Sequence, residues 1–478
     1  MSIKSKAINS GKWVTISTAA QTIIQFVQMA VLARILDSTA FGVVSMSLIF
    51  INFFGIFSDL GFTNSIIHKQ ESDQKILSSV YYTSILVAVV LSSLAMILSP
   101  FVAEFYHEPR LGKVVVRMAF CFVIICFGSI YAILLKKELQ FKAIAAIDIT
   151  GNAVAFVVTI ILALRGFNEL SIVYGTLTVH VIRSSLEIYF GRHIFKPKWH
   201  FKFGEIKDHL KFGVYNLGET FVGFIQGNWD NIIVGRILGA RYLGIYNLAL
   251  QLGYYPISRL NPLILRVAFP LIAKFKDDDS ALKRAYIKIL DILSYFNYPL
   301  LAGLFITVQS VVPLACGPNW AETFPLIKIF VFVSAVTCLS HPLFTIAYTK
   351  GKPKYLFYIG LVSFIIKIPL VLVLGKYWGV TGIAIALLLT ESITLIINLT
   401  LVRSLIGNFM KPFLQNILKP ITFCLIMVLA VYLYQVIFGY QGIYHTIAQV
   451  LIGAGVYLAL TFKFKYSFSD LIEIKNSL

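Results

Sequence analysis

Charge is scarce in this chain, and acids are scarcer still: 13% of its 478 residues are charged, with 22 Asp and Glu against 41 Lys and Arg. Soluble domains carry about a quarter charged residues. With 58% hydrophobic residues and a mean hydropathy of +0.82, this chain has no polar surface with which to face water. Cysteine is rare too. Cys121, Cys126, Cys316, Cys338 and Cys424 mostly lie inside apolar runs without CxxC or metal-ligand spacing, so they read as small packing residues and not as a redox or metal centre. The ten-residue alternation of a membrane β-barrel is missing. No small-residue cleavage site follows the basic start at Lys4, Lys6 and Lys12, so the first apolar run reads as a retained helix. No outer loop exceeds about fifteen residues or gathers His, Asp, Glu, Ser or Cys in a catalytic spacing, which argues against a membrane polymerase or ligase and for a protein that is not an enzyme.

What the chain does have is apolar runs of about twenty residues, each long enough to cross a bilayer as a helix. Spans are expected at 13–34, 41–63, 79–99, 114–135, 144–164, 168–190, 212–235, 242–268, 289–315, 322–348, 355–375, 378–402, 412–437 and 443–463. The expected fold is an all-α integral membrane protein of about fourteen transmembrane helices. Pro262, Pro270, Pro299 and Pro313 mark places where a helix kinks or breaks instead of ending.

The formal net charge of +19 raises nucleic acid as a partner, and the distribution of the charge answers it. With the amino terminus inside, the inner segments hold 27 Lys and Arg, from Lys4 to Lys475, against 7 outside: Arg34, Arg110, Lys113, Arg165, Arg236, Arg241 and Lys376. That is a topology signal. It places both termini in the cytoplasm, makes anionic lipid heads the partner of the excess charge, and leaves no nucleic-acid surface. The longest inner loop, 191–211, interleaves Trp199, Phe201, Phe203, Ile206 and Leu210 with lysines and is expected to lie partly in the membrane interface. Asp277-Asp278-Asp279-Ser280 reads as a helix start capped by Ser280 or Asp279, not as a calcium loop, because the glycine and distal Glu of such a loop are missing.

The chain also repeats itself. Gly11 to Gly42 falls without gaps on Gly213 to Gly244, an offset of 202 residues, pairing Thr18 with Thr220, Arg34-Ile35-Leu36 with Arg236-Ile237-Leu238, and Gly42 with Gly244. The expected organisation is an amino-terminal lobe over 1–190, a basic linker over 191–211, a second lobe over 212–404, and two further helices with a tail over 405–478. Small residues at Gly379-Val380-Thr381-Gly382 open the twelfth span.

Polar side chains at membrane depth face other helices or a wet cavity. Gln21, Gln25 and Gln28 share one face of span 1; span 7 carries Asn216, Glu219, Gln226, Asn228, Asp230 and Asn231, and the repeat sets Gln28 on Asp230. Two readings stand: these stripes meet across a central polar cavity, or they bond neighbouring helices in their own half. Arg183 and Glu187 suit an i,i+4 ion pair beside His180, and Arg259 and Arg266 suit an anionic head group or snorkelling. Asp59, Lys328, His341, Lys367 and Glu391 are further candidates.

Gly11-Lys12-Trp13, Ala33-Arg34-Ile35-Leu36 running into Phe41-Gly42, Asp59-Leu60-Gly61-Phe62 and Gly235-Arg236-Ile237-Leu238-Gly239 resemble the bacterial polysaccharide flippases of the Wzx, colanic-acid exporter type. These belong to the multidrug/oligosaccharidyl-lipid/polysaccharide superfamily, and the likeness covers almost the whole chain. It implies two pseudo-symmetric six-helix lobes around a V-shaped central cavity, two extra carboxyl-terminal helices, and alternating access in the bacterial inner membrane. The implied substrate is an oligosaccharide repeat unit on undecaprenyl pyrophosphate, and the implied partners are polysaccharide polymerase and export machinery. No cofactor is expected; Glu219 or Asp230 would take up H+ or Na+ as the coupling ion. The rival readings are a drug/cation antiporter, a lipid-linked peptidoglycan precursor flippase and, from another class, a glycan polymerase or ligase.

Overall fold

The computed structural model describes residues 3–464; the side chains of 3–10, 211–217, 219, 263, 266, 267, 270 and 271 lie outside the described residues, and with them Asn216, Glu219 and Arg266. Among the described residues there is no strand. The helices are α1 (Ile3–Ile35), α2 (Ser38–Gly55), α3 (Phe62–Lys69), α4 (Gln74–Tyr106), α5 (Pro109–Lys137), α6 (Phe141–Leu164), α7 (Glu169–Gly191), α8 (Phe203–Leu238), α9 (Ala240–Ala273), α10 (Asp279–Cys316), α11 (Thr323–Ser340), α12 (Pro342–Thr349), α13 (Lys354–Ile406), α14 (Met410–Phe438) and α15 (Ile443–Phe464).

Acidic caps start several of them by accepting hydrogen bonds from amides that the first turn leaves free. Asp37 caps α2 through Ala40 N, Asp73 caps α4 through Lys75 N, and Glu108 caps α5 ahead of Pro109. At α10 the cap is Asp278, which accepts from Ser280 N and Ala281 N. The expected caps Asp279 and Ser280 lie one and two residues too far along; Asp279 instead pairs with Lys350. Prolines bend helices here without ending them, since α10 runs through Pro299 and Pro313 and α9 runs past Pro262 and Pro270.

Ten helices are long and apolar enough to cross a membrane. α7, α8 and α9 do not meet that measure, because Arg183 with Glu187, the polar stripe around Asp230, and Arg241 with Arg259 interrupt them. α13 has 53 residues, about 80 Å at 1.5 Å per residue and far more than a bilayer needs. It is broken at Gly379, whose φ of 56° and ψ of −138° only glycine adopts without strain.

The chain divides into two compact units, Met1–Gly244 and Ile245–Leu478. In the first, α5 packs between α4 and α7, α6 lies on α7 and α1, and α8 lies on α2, α3 and α4. One cluster of its core joins Phe62, Ile66, Tyr131, Leu134, Phe195 and Ile206. In the second, α11 packs on α10 and α13, while α14 and α15 pack together on α10. Tyr295, Phe423, Met427 and Tyr457 join these last three helices, and Tyr457 Oη donates to the Tyr295 carbonyl at 3.0 Å. All five cysteines are buried and unpaired.

The stretch from Gly191 to Lys211 lies less in the interface than its sequence suggests. Phe195 and Ile206 are fully buried, and Leu210 packs on the same cluster, because polar groups of α3 and α4 tie the strand down. Gln74 Nε2 donates to the Ile194 carbonyl, Ser78 Oγ accepts from Lys198 N, and Ser79 Oγ accepts from Lys202 N. Ser65 Oγ and His209 Nδ1 lie 2.7 Å apart. Only Trp199, Phe201 and Phe203 keep the exposure expected of interfacial anchors.

Candidate functional site

The first unit holds a polar cluster inside its apolar helices. Arg183 of α7 sends Nη2 to Asp148 Oδ1 of α6 at 3.0 Å and to Gln21 Oε1 of α1 at 3.3 Å. Gln21 Nε2 donates to Ser17 Oγ at 2.9 Å and reaches Asp148 Oδ2 at 3.5 Å, and Asn152 Nδ2 bonds the Asp148 carbonyl at 2.7 Å. The i,i+4 partner expected for Arg183, Glu187, is not its ion pair: Asp148 on the neighbouring helix is, and Gly151 beside it leaves room for the Arg183 stem, Cγ lying 3.0 Å from where a Cβ would stand. A bidentate cation that bridges three helices joins them more firmly than a pair along one helix would.

Two cavities flank this cluster. One, of about 330 Å³, is lined by Ser17, Thr18, Gln21, Lys136 and Asp148. The other, of about 260 Å³, is lined by Asp59, Thr63, Ser129, Lys136 and Glu187. Hydroxyl, amide and charged groups stand at both, so each suits a hydrogen-bonding or ionic occupant.

The other expected residues stand apart from this cluster. Gln25 is exposed and Gln28 half-buried on α1. On α8, Asp230 is buried, Gln226 and Asn228 are half-buried, and Asn228 Nδ2 bonds back to the Phe224 carbonyl at 2.9 Å. Asn231 Oδ1 is buried with no hydrogen bond among the described residues. Phe221 and Phe224 of this helix pack on Phe53 of α2.

In the second unit Arg259 lies over the Tyr255 ring at 5.4 Å and Lys328 over Phe305 at 5.5 Å. His341 Nδ1 meets Asn261 Nδ2 at 2.9 Å, Asn261 Oδ1 accepts from Asn297 Nδ2 at 2.9 Å, and Glu391 accepts from Thr337 Oγ1 at 3.3 Å. A cavity of about 510 Å³ in this unit is bordered by Gln309, Ser310, Phe324 and Tyr440. Asp148, Asn152, Asn261 and Asn297 were not singled out in the sequence. Each is a lone polar residue in an apolar run, and only its partner on another helix marks it.

The chain matches the profile of the family described as "Polysaccharide biosynthesis protein" over residues 31–325. It is 28% identical to the lipopolysaccharide biosynthesis protein WzxC of Escherichia coli (strain K12), over 88% of this chain and 86% of that protein. It is 30% identical to an uncharacterized membrane protein in the cps region of Klebsiella pneumoniae, over 97% of this chain and 96% of that one, and 30% identical to the teichuronic acid biosynthesis protein TuaB of Bacillus subtilis (strain 168), over 75% and 74%. Its fold is similar to that of the lipid II flippase MurJ in an inward closed conformation, with a TM-score of 0.77, 17% identity and coverage of 96% of this chain and 99% of that one. An inward-facing multidrug resistance transporter of the MATE family matches at a TM-score of 0.60 with 14% identity, over 81% and 94%. The chain therefore belongs to the polysaccharide biosynthesis protein family, as a multi-pass membrane transporter of the Wzx type in the multidrug/oligosaccharidyl-lipid/polysaccharide superfamily.

Proposed function

We propose that this protein turns an oligosaccharide repeat unit, carried on undecaprenyl pyrophosphate, from the inner to the outer leaflet of the bacterial inner membrane by alternating access. The observation that carries the reading is the hydrogen-bonding cluster of Gln21, Asp148, Asn152 and Arg183 beside a cavity within otherwise apolar helices. Sugar hydroxyls need such partners to leave water, while a polyprenyl tail can stay in lipid. The relatives named for lipopolysaccharide and teichuronic acid biosynthesis support the substrate class.

In this reading Gln21, Gln25, Gln28, Asn216, Gln226, Asn228 and Asn231 serve the sugar route, and Arg183, Arg259 and Arg266 serve the pyrophosphate. Glu219 or Asp230 takes up H+ or Na+, which couples an ion gradient to the change of access. Both termini face the cytoplasm, and a polymerase with its export machinery takes the product at the outer face.

Deleting the gene tests the proposal. Surface polysaccharide should be lost while single lipid-linked repeat units build up on the inner leaflet and drug sensitivity stays unchanged. Fully polymerised lipid-linked glycan on the outer leaflet of the deletion strain would instead assign the protein a role after flipping.

A further inference from the structure

Arg183 has carboxylates on two sides and serves one of them. Its Nη2 is on Asp148, while its Nε is buried without a hydrogen bond among the described residues. Glu187 stands one turn along α7, within reach of the same guanidinium, yet no hydrogen bond or ion pair joins it to a described residue. Its carboxyl group lies against α5 in a notch that exists only because residue 128 is glycine: a Cβ there would overlap Glu187 Oε2. The two acids look into different cavities, Asp148 into the one beside Gln21 and Glu187 into the one beside Asp59, and Lys136 borders both.

We propose that Glu187 is a proton-binding site whose occupancy decides which of the two acids Arg183 serves. With the proton bound, Glu187 is neutral and Arg183 stays on Asp148. When the proton leaves Glu187 for its own cavity, the new carboxylate draws Arg183 one turn along α7, and Asp148 is freed as an anion into the cavity beside Ser17, Thr18 and Gln21. Nothing but a proton is exchanged. A buried carboxyl group with no bonded partner favours the neutral form, and an ionised one draws the nearest cation, so the two arrangements exclude each other. The groups around Glu187 are Lys136 and Cys126 from α5, Asp148 from α6, Asp59 after α2, and His180 and Arg183 on its own helix. The device concerns the first unit alone and does not depend on the identity of the transported molecule.

Dicyclohexylcarbodiimide tests it, because the reagent adds, without loss of atoms, to protonated carboxyl groups in apolar surroundings and its sites are found by peptide mass spectrometry. In the purified full-length protein at pH 7, Glu187 should be labelled and Asp148 protected. Asp148→Asn releases Arg183 to Glu187 and should lower Glu187 labelling by at least about tenfold, the effect of one unit in protonation equilibrium. Asp148→Glu, which keeps a carboxylate for Arg183, should label as the unaltered protein does. Arg183→Gln should make Asp148 reactive while Glu187 stays so, and it carries the test alone if Asp148→Asn does not fold. Equal Glu187 labelling with and without Asp148, preferential labelling of Asp148 in the unaltered protein, or no new labelling of Asp148 in Arg183→Gln would each overturn the proposal. Loss of flipping with this labelling pattern intact would count against the transport reading only.

Discussion

Gly42 and Gly244, matching positions of the repeat, close on each other's turns reciprocally. A Cβ on Gly42 would run into the carbonyl of Ala240, a Cβ on Gly244 would run into the carbonyl of Ser38, and Ser38 and Ala240 are themselves matched by the same offset of 202 residues. The shared glycines therefore let the turn after α1 and the turn after α8 touch backbone to backbone about a local two-fold relation. Alanine at either position forces backbone apart and should cost about 1–3 kcal/mol. Thermal unfolding of each variant in one detergent measures this, with Gly11→Ala as the control, since nothing stands within 4 Å of a Cβ there.

Gly379 offers a second backbone test. Its φ of 56° breaks α13, and alanine would meet that conformation with a steric penalty of about 1–3 kcal/mol. Gly379→Ala should lower the unfolding temperature, whereas Gly218→Ala, at an open position within α8, should not.

The ion pair in the first unit can be weighed by a double-mutant cycle. Arg183 and Asp148 retain 29% and 27% side-chain exposure, so their coupling should fall below that of a fully buried pair, at about 1–2 kcal/mol. Unfolding of Arg183→Gln, Asp148→Asn and the double variant measures it; a coupling near zero would remove the pair from the architecture.

Acid should loosen the linker ahead of α8 in two stages. Burial holds the His209 imidazole below its ordinary range, so the unfolded state binds that proton more readily and the contribution of His209 falls as pH drops through about 6.5. Glu205 is held below the usual carboxylate range, first by its hydrogen bond with His200 and also by Ser79, so its contribution persists until pH falls below that range. Hydrogen exchange of amides 194–210 should quicken from pH 7 to pH 5, and His209→Gln should remove this first stage. Exchange that stays level over that interval would show that neither group holds the strand.

Much of the helical plan could be read in the sequence, because apolar runs, prolines and the charge between them act locally. The repeat was also visible: Arg34-Ile35-Leu36 and Gly42 recur as Arg236-Ile237-Leu238 and Gly244. The reciprocal contact of the glycines was not, since a glycine does not say which carbonyl it admits. Arg183 illustrates the same limit. Its polarity marks it in the sequence, but spacing alone points to Glu187, and only the packing of α6 on α7 brings Asp148 to it instead. In the linker, alternation of aromatic and basic residues suggests a lipid-facing strand, yet Ser65, Ser78 and Ser79 on other helices draw half of it inward.

Transport itself is most directly read in vesicles that contain only the purified protein and a lipid-linked oligosaccharide bearing a fluorophore on its sugar. A quencher that cannot cross the membrane reports the fraction outside. The protein should expose fluorophore that protein-free vesicles keep protected, and Arg183→Gln should slow that exposure. Equal quenching in vesicles with and without the protein, under an imposed pH or sodium gradient, would contradict the proposed flipping of lipid-linked oligosaccharide.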